Sequence, residues 1–175
     1  MSPNDRSFIA VPIAVLTVSD SRTESDDKSG DLLVARLAEA GHLLSDRDIV
    51  KDNVFQVRAT VSRWIADHNI QAVITTGGTG VTGFDDTPDA LYPLLDKQLD
   101  GFGEMFRAIS FEEIGASALL SRAMAGVANG TYIFSLPGSP DACATAWDKI
   151  LNSQLDYRTR PCNLVELMPR LLEHR

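Results

Sequence analysis

Apolar residues recur along this chain in two alternating rhythms, and the alternation predicts the architecture. Val11 to Ser19 (VPIAVLTVS) is an almost unbroken, β-branched apolar run, the pattern of a strand covered on both faces in a parallel sheet. Such a strand belongs at the centre of its sheet. A polar stretch from Asp20 to Ser29 follows. Leu32, Leu33, Leu37 and Ala40 then recur at helical spacing, with Ser29 expected as N-cap and Gly41 just past the end. His42 to Val50 predicts a weaker second strand. Asn53, with Gln56 three residues on, opens a second helix in a variant capping box, and Val54, Val57, Val61, Trp64 and Ile65 share its inner face.

Gln71 to Thr76 (QAVITT) is a short β-branched strand that runs straight into Gly77-Gly78-Thr79-Gly80. Thr87-Pro88 begins another helix, with Thr as the expected N-cap and Pro at the first helical position. Helical spacing continues from Gly103 to Gly115 and again from Ser117 to Ala125, with Gly126 as the expected stop. Thr131 to Leu136 (TYIFSL) is the fourth strand, closed by Pro137-Gly138-Ser139-Pro140, and Asp141 to Leu151 reads as a helix. Strands alternating with helices form βαβ units joined by right-handed crossovers. The expected fold is therefore α/β, a three-layer doubly wound sandwich with a mostly parallel central sheet. No internal repeat or linker interrupts it. Residues 1–175 read as one domain, with the less regular stretch 152–175, containing Pro161 and Pro169, as a C-terminal arm packing on its own subunit or on a neighbour.

Composition narrows the classes of function. A chain of 175 residues, 44% hydrophobic and 23% charged, with 12 Gly and 8 Pro, suits one domain with a core and excludes disordered and collagen-like classes. Acidic residues outnumber basic ones by 24 to 16, a formal charge of −8, which argues against a nucleic-acid partner or an anionic membrane surface. Cys143 and Cys162 are too few for a disulfide framework and lack zinc-ligand spacing, so a reducing compartment fits. No window approaches the roughly 18 apolar residues of a membrane span, and Met1 to Ala10 holds no apolar signal region. A cytoplasmic location is expected.

Ligands of open parallel sheets bind beyond the carboxyl ends of the strands, which here means Ser19 to Gly30, Gly77 to Thr87 and Pro137 to Pro140. Gly78, Gly80 and Gly83 match GxGxxG. The dinucleotide reading fails, however, because the helix waits until Pro88 and the region near Asp100 is helical where a strand should present an acid. Walker A spacing fails as well, since Phe84-Asp85 stand where Lys and Ser/Thr would. What remains is a turn of little bulk. Its backbone N–H groups can form an anion-binding nest, or it is a tight turn needing positive φ with no ligand at all. Asp85 and Asp86 suit Mg²⁺ as oxygen donors, and suit equally well the charge of a helix start at Thr87-Pro88. His42, His68 and His174 are scattered and read as surface or helix-end residues, while Cys143, Trp64 and Trp147 read as packing.

The run from Thr75 to Ala90, TTGGTGVTGFDDTPDA, resembles the TTGGTG…D.TPEA signature of the MoaB/MogA family of molybdenum cofactor biosynthesis proteins. Leu16-Thr17-Val18-Ser19-Asp20, Asp27-Lys28-Ser29-Gly30, Leu120-Ser121-Arg122 and Leu136-Pro137-Gly138-Ser139-Pro140 support the resemblance. Gly101-Phe102-Gly103-Glu104 and the tail from Leu155 to Asn163 look like the bacterial MoaB branch. The resemblance reaches nearly the whole chain. It implies a molybdopterin-binding-like fold, a homo-oligomer that is a trimer or hexamer, and, in active members, transfer of AMP to molybdopterin from Mg-ATP. The alternatives are a catalytically silent molybdopterin-binding or carrier protein and a plain oligomeric scaffold.

Carried over residue by residue, the resemblance implies that Gly77, Gly78, Thr79 and Gly80 bind phosphates through backbone N–H groups. Asp85 falls on the acidic position associated with Mg²⁺ and catalysis, and Asp52 near a second such position. Ser19, Asp20, Thr87, Ser121 and the turn Pro137, Gly138 and Ser139 would line the pterin and phosphate pocket. The chain departs from the pattern at Phe84, where an arginine commonly precedes the acid; a guanidinium there makes a bidentate phosphate contact that Phe cannot. Low basicity from Gly77 to Pro88 predicts metal dependence, because backbone amides and a carboxylate-bound Mg²⁺ can hold phosphate without Lys or Arg.

Overall fold

The computed structural model describes residues 6–173. Strand β1 (Pro12–Val18) lies between β2 (Leu43–Val50) and β3 (Ala72–Thr76), and β6 (Thr131–Leu136) continues the parallel set beyond β3. Beyond β6 run β5 (Met124–Ala128) and the two-residue β4 (Lys97–Gln98), each antiparallel to its inner neighbour. The order across the sheet is β2-β1-β3-β6-β5-β4.

Period-two alternation on strands buried on both faces assigns side chains to two cores. Ile13, Val15, Ile74, Tyr132 and Phe134 point to one layer. There they meet α1 (Lys28–Glu39), α4 (Asp100–Ile114) and α5 (Pro140–Ala146) through Leu33, Leu37, Phe106 and Cys143. Ala14, Leu16, Val73 and Ile133 point to the other, against Val57, Val61 and Trp64 of α2 (Val54–Ile65) and Leu91 of α3 (Thr87–Leu91). The expected three-layer sandwich on a mostly parallel sheet is thus present, with β1 interior.

Several local expectations are corrected. The stretch Ser117 to Ala125 is not a helix: a 3₁₀ segment, Gly115–Leu120, ends at Ser121, and Met124–Ala128 forms β5 with all five residues buried. Gly126 is no helix stop. A Cβ there would lie 2.5 Å from Leu95 Cδ1 and 2.6 Å from the Lys97 carbonyl, so glycine is what lets the edge strand approach. The N-cap of α1 is Asp27, whose side chain accepts from the Gly30 amide at 3.0 Å, while Ser29 lies inside the helix. Asn53 does cap α2, accepting from the Phe55 and Gln56 amides, but Gln56 Oε1 reaches Lys51 N at 3.3 Å and not the cap. Thr87 lies within α3, with Asp86 at its cap position.

His42 is not at the surface. It is 5% exposed, its Nδ1 accepts from the Val11 amide at 3.1 Å, and it packs against Phe8 and Trp147. His68 is exposed, as read from the sequence, and His174 lies outside the described residues. Cys143 and both tryptophans are buried packing residues as expected. Past α5 the helix widens to a π turn (Trp147–Leu151). Leu155 and Val165 then return to the core, and Arg6 pairs with Glu166 at 2.8 Å.

Candidate functional site

The carboxyl ends of β1, β3 and β6 converge on an open cleft of about 810 Å³. Each strand delivers one loop to it. After β1, Ser19 Oγ accepts from the Ser21 and Arg22 amides at 3.3 and 3.2 Å, turning the chain toward α1. After β3 comes the glycine turn. Gly77 (φ +102°) and Gly78 (φ +64°) are both in the left-handed region. A Cβ on Gly77 would meet the Val18 carbonyl at 2.2 Å, and one on Gly78 would meet Thr87 Oγ1 at 2.3 Å and Asp52 Oδ2 at 2.8 Å. Both positions therefore require glycine sterically, which accounts for part of the glycine density without any ligand. The amides have a separate story: Gly77 N donates to Leu136 O at 3.0 Å, but among the described residues no acceptor is bonded to Gly78 N or Thr79 N. After β6, Pro137 O accepts from Thr76 Oγ1 at 2.9 Å, and the Gly138 backbone packs on Gly77.

The rest of the glycine loop is braced from outside. Arg122 Nε donates to Gly80 O at 2.8 Å, its Nη1 to Asp89 Oδ2 at 2.9 Å and its Nη2 to the Asp85 carbonyl, while the Arg122 amide donates to Thr79 O at 2.8 Å. Asp85 Oδ2 accepts from Thr82 N at 2.8 Å and Thr82 Oγ1 at 2.7 Å. Burial works to raise the Asp85 pKa, yet these bonds, the Gly80 amide and Arg122 outweigh it and hold the carboxyl below its ordinary value. Asp85 is thus an ionised carboxylate at the cleft wall.

Asp52 stands behind the turn. Its Oδ1 accepts from the Asp86 amide at 3.2 Å. Burial raises its pKa, and the charges of Asp86, Asp85 and Asp20 raise it further. Beside it Thr87 Oγ1 is buried, with no hydrogen-bond partner among the described residues. This oxygen-only, electronegative neighbourhood suits Mg²⁺, which takes one or two carboxylates and completes its shell with water and phosphate. Among the described residues no group of three or more acids, histidines or cysteines could hold an ion alone, so phosphate would have to supply much of the shell.

Of the residues expected at the site, Ser19, Gly77, Gly78, Thr79, Gly80, Asp85, Ser121, Pro137, Gly138 and Ser139 line the cleft. Asp20 is exposed at its edge, Asp52 lies behind the turn and Thr87 is buried beneath it. Arg22, Ser110 and Glu113 also line the cleft and carried no signal in the sequence. Arg22 is one polar residue in a polar loop. Ser110 and Glu113 sit on α4, and only its packing against α5, where Thr145 Oγ1 donates to Glu113 Oε2 at 2.8 Å, shows which way they face.

A doubly wound sheet whose switch-point loops close on a glycine turn is a ligand-binding α/β domain. The profile described as a probable molybdopterin binding domain matches residues 14–157. Molybdenum cofactor biosynthesis protein B of Escherichia coli is 56% identical over 163 residues, 93% of this chain and 96% of that protein. A crystal structure of a molybdenum cofactor biosynthesis protein B matches with a TM-score of 0.83 at 42% identity, covering 86% of this chain and 94% of the other. The tungsten cofactor synthesizing protein MoaB from Pyrococcus furiosus matches with a TM-score of 0.75 at 39% identity, covering 82% and 92%. The chain belongs to the MoaB family, and its fold is the molybdopterin-binding fold of MoaB and MogA proteins. No helix among the described residues is long and apolar enough to cross a membrane.

Proposed function

We propose that this protein acts in molybdenum cofactor biosynthesis by binding molybdopterin in the cleft and transferring AMP to it from Mg-ATP. The observation that supports this most directly is the pair of unbonded amides, Gly78 N and Thr79 N, in the turn that walls a cleft of about 810 Å³, beside the ionised Asp85. In the transfer, an oxygen of the acceptor forms a bond to the α-phosphorus of ATP, the bond from that phosphorus to the bridging oxygen breaks, and pyrophosphate leaves. Little covalent work falls to the protein, whose contribution is positioning and electrostatic stabilisation. The glycine turn holds phosphate oxygens in place, Asp85 fixes the turn through Thr82, and Ser121 and Ser139 offer hydroxyls to the ligand. Asp52 and Asp85 would hold Mg²⁺, which supplies neutralisation of the phosphate charge when bound.

The second reading is a catalytically silent molybdopterin-binding or carrier protein, favoured by Phe84, whose side chain is 74% exposed where a guanidinium would have gripped phosphate. The same reading of the chain includes a cytoplasmic homo-oligomer, trimer or hexamer. Exposed Phe111 (56%) and Ile114 (59%) at the end of α4 and Leu119 (81%) in the 3₁₀ segment after it support a subunit contact there.

A pyrophosphate-release assay with Mg-ATP and molybdopterin, run beside equilibrium binding of molybdopterin, decides between them. Adenylyl transfer predicts release that Asp85→Asn abolishes while molybdopterin affinity stays within a few-fold. Binding without release leaves the carrier, and neither leaves a scaffold.

A further inference from the structure

The cleft lining contains three carboxylates, those of Asp85, Glu113 and Asp141, and among the described residues a single cation, Arg22. That guanidinium is held in place. Arg22 Nη1 donates to Ser29 Oγ at 3.0 Å and Nη2 donates to Gly138 O at 3.0 Å, so the head group is pinned to the turn after β6. Ser29 Oγ donates to the same Gly138 carbonyl at 2.7 Å, a second and uncharged brace on that turn. Two of the five guanidinium N–H groups are thereby used and the others are left for a ligand.

The charge of Arg22 is also only lightly compensated. Its nearest carboxylate is Asp27, with Nη1 at 3.9 Å from Oδ1, and Asp27 is already committed. Asp27 Oδ2 lies 2.8 Å from Arg47 Nη2 and accepts from Thr17 Oγ1 at 2.7 Å, while its Oδ1 accepts from the Gly30 amide. Arg47 therefore takes the buried charge, and Arg22, with 30% of its side chain exposed, presents its own to the cleft. A guanidinium that lines the cleft with its nearest carboxylate 3.9 Å away and already committed is available to an anionic ligand.

We propose that Arg22 is a phosphate-binding residue of the cleft, supplying from the β1 side the guanidinium that the glycine loop lacks at Phe84. The ligand group is a phosphate, carried either by molybdopterin or by the nucleotide. The assignment rests on the function proposed above for the identity of those ligands, but the phosphate chemistry can be tested without either.

Pyrophosphate is the probe, titrated calorimetrically into the full chain as wild type, Arg22→Lys, Arg22→Gln and Ser29→Ala. Arg22→Gln is expected to weaken pyrophosphate binding by about tenfold to a hundredfold, the usual consequence of removing a charge-assisted hydrogen-bonding partner. Arg22→Lys should recover part of the loss, because it keeps the charge and loses the fork. Ser29→Ala removes the uncharged brace on Gly138 and the Nη1 contact, but the guanidinium keeps its charge and its own bond to Gly138, so the loss should stay within about threefold. No binding by the wild type, equal binding by wild type and Arg22→Gln, or an equal loss in Ser29→Ala would each overturn the assignment, the last by showing that Arg22 acts only through the turn. Repeating the titrations with molybdopterin and with ATP identifies the source, since only the ligand whose phosphate meets Arg22 should lose affinity. If the wild type binds pyrophosphate through Arg22 but neither molybdopterin nor ATP, the phosphate site stands and the proposed function falls.

Discussion

Asp27 and Arg47 form an ion pair across the start of α1 and strand β2, with Oδ2 of the fully buried carboxylate 2.8 Å from Nη2 of the guanidinium. The same carboxylate caps α1 and accepts from Thr17 of β1, so three elements meet on one side chain. Removing it uncaps the helix, orphans Thr17 Oγ1 and leaves Arg47 only the exposed Asp31, at 2.7 Å. Asp27→Ala is expected to destabilise the fold by about 2–4 kcal/mol, read as a lower denaturation midpoint with an unchanged m-value. Burial pushes the Asp27 pKa up, but Arg47, Thr17 and the Gly30 amide together bring it below the ordinary value of 3.8. Its contribution is therefore present above that value and is lost as pH falls through the lower folded-state pKa. The acid limb of the stability curve should flatten in the variant.

His42 works with the same sign at milder pH. Burial, partly opposed by the Asp156 charge, lowers its pKa from 6.5. Its Nδ1 must stay unprotonated to accept from Val11. The stability it contributes is present above 6.5 and is lost as pH falls from there through the folded-state value. His42→Asn should remove this pH dependence below pH 6.5, measured as Tm against pH, while lowering Tm overall because the ring packs on Trp147.

Asp52 has the opposite sign. Its raised pKa means that the ionised form is disfavoured by folding, through burial and the charges of Asp86, Asp85 and Asp20. That penalty is present at neutral pH and is relieved as pH falls through the raised pKa. Asp52→Asn keeps an oxygen for the Asp86 amide and discards the charge. Without Mg²⁺ its Tm is expected to rise by about 1–3 °C, and any Mg²⁺-dependent gain in Tm seen in the wild type should shrink.

Phe84 offers the converse experiment. Its side chain is 74% exposed, so replacement has little packing to lose. Phe84→Arg places a guanidinium beside the turn and is expected to lower the KM or Kd for ATP by about three- to tenfold, with Tm within about 1 °C of wild type. Unchanged nucleotide affinity would mean that position 84 does not face the phosphates.

The parallel strands could be read from the sequence because their own residues announce them. VPIAVLTVS and QAVITT are mostly apolar and rich in β-branched residues, the pattern of a strand buried on both faces. Strand β5 could not. Met124 to Ala128 (MAGVA) holds a single β-branched residue and no apolar–polar alternation to mark a strand, and the cause of Gly126, the close approach of Lys97 and Leu95, lies in another part of the chain. The α1 cap is ambiguous in the sequence for a similar reason: Asp27 and Ser29 are both capping side chains, and Arg47 on β2 selects Asp27.

The glycine turn and the Pro137–Pro140 turn can be placed from the sequence because each directly follows a strand and is built of the residues that punctuate one, whereas the role of Asp85 comes only with the family resemblance. Arg22 cannot be so placed, since a cation in a polar loop has no periodicity and no required partner until Gly138 is folded against it.

The parallel strands, their alternation with helices and the loops at their carboxyl ends are written in the sequence, because periodicity and backbone restriction are local properties. Which charges meet follows only once the chain is folded: Arg47 takes Asp27, Arg122 braces the glycine loop, and Arg22 is left facing the cleft. Electrostatic partners are chosen across the fold, between residues that the sequence holds far apart.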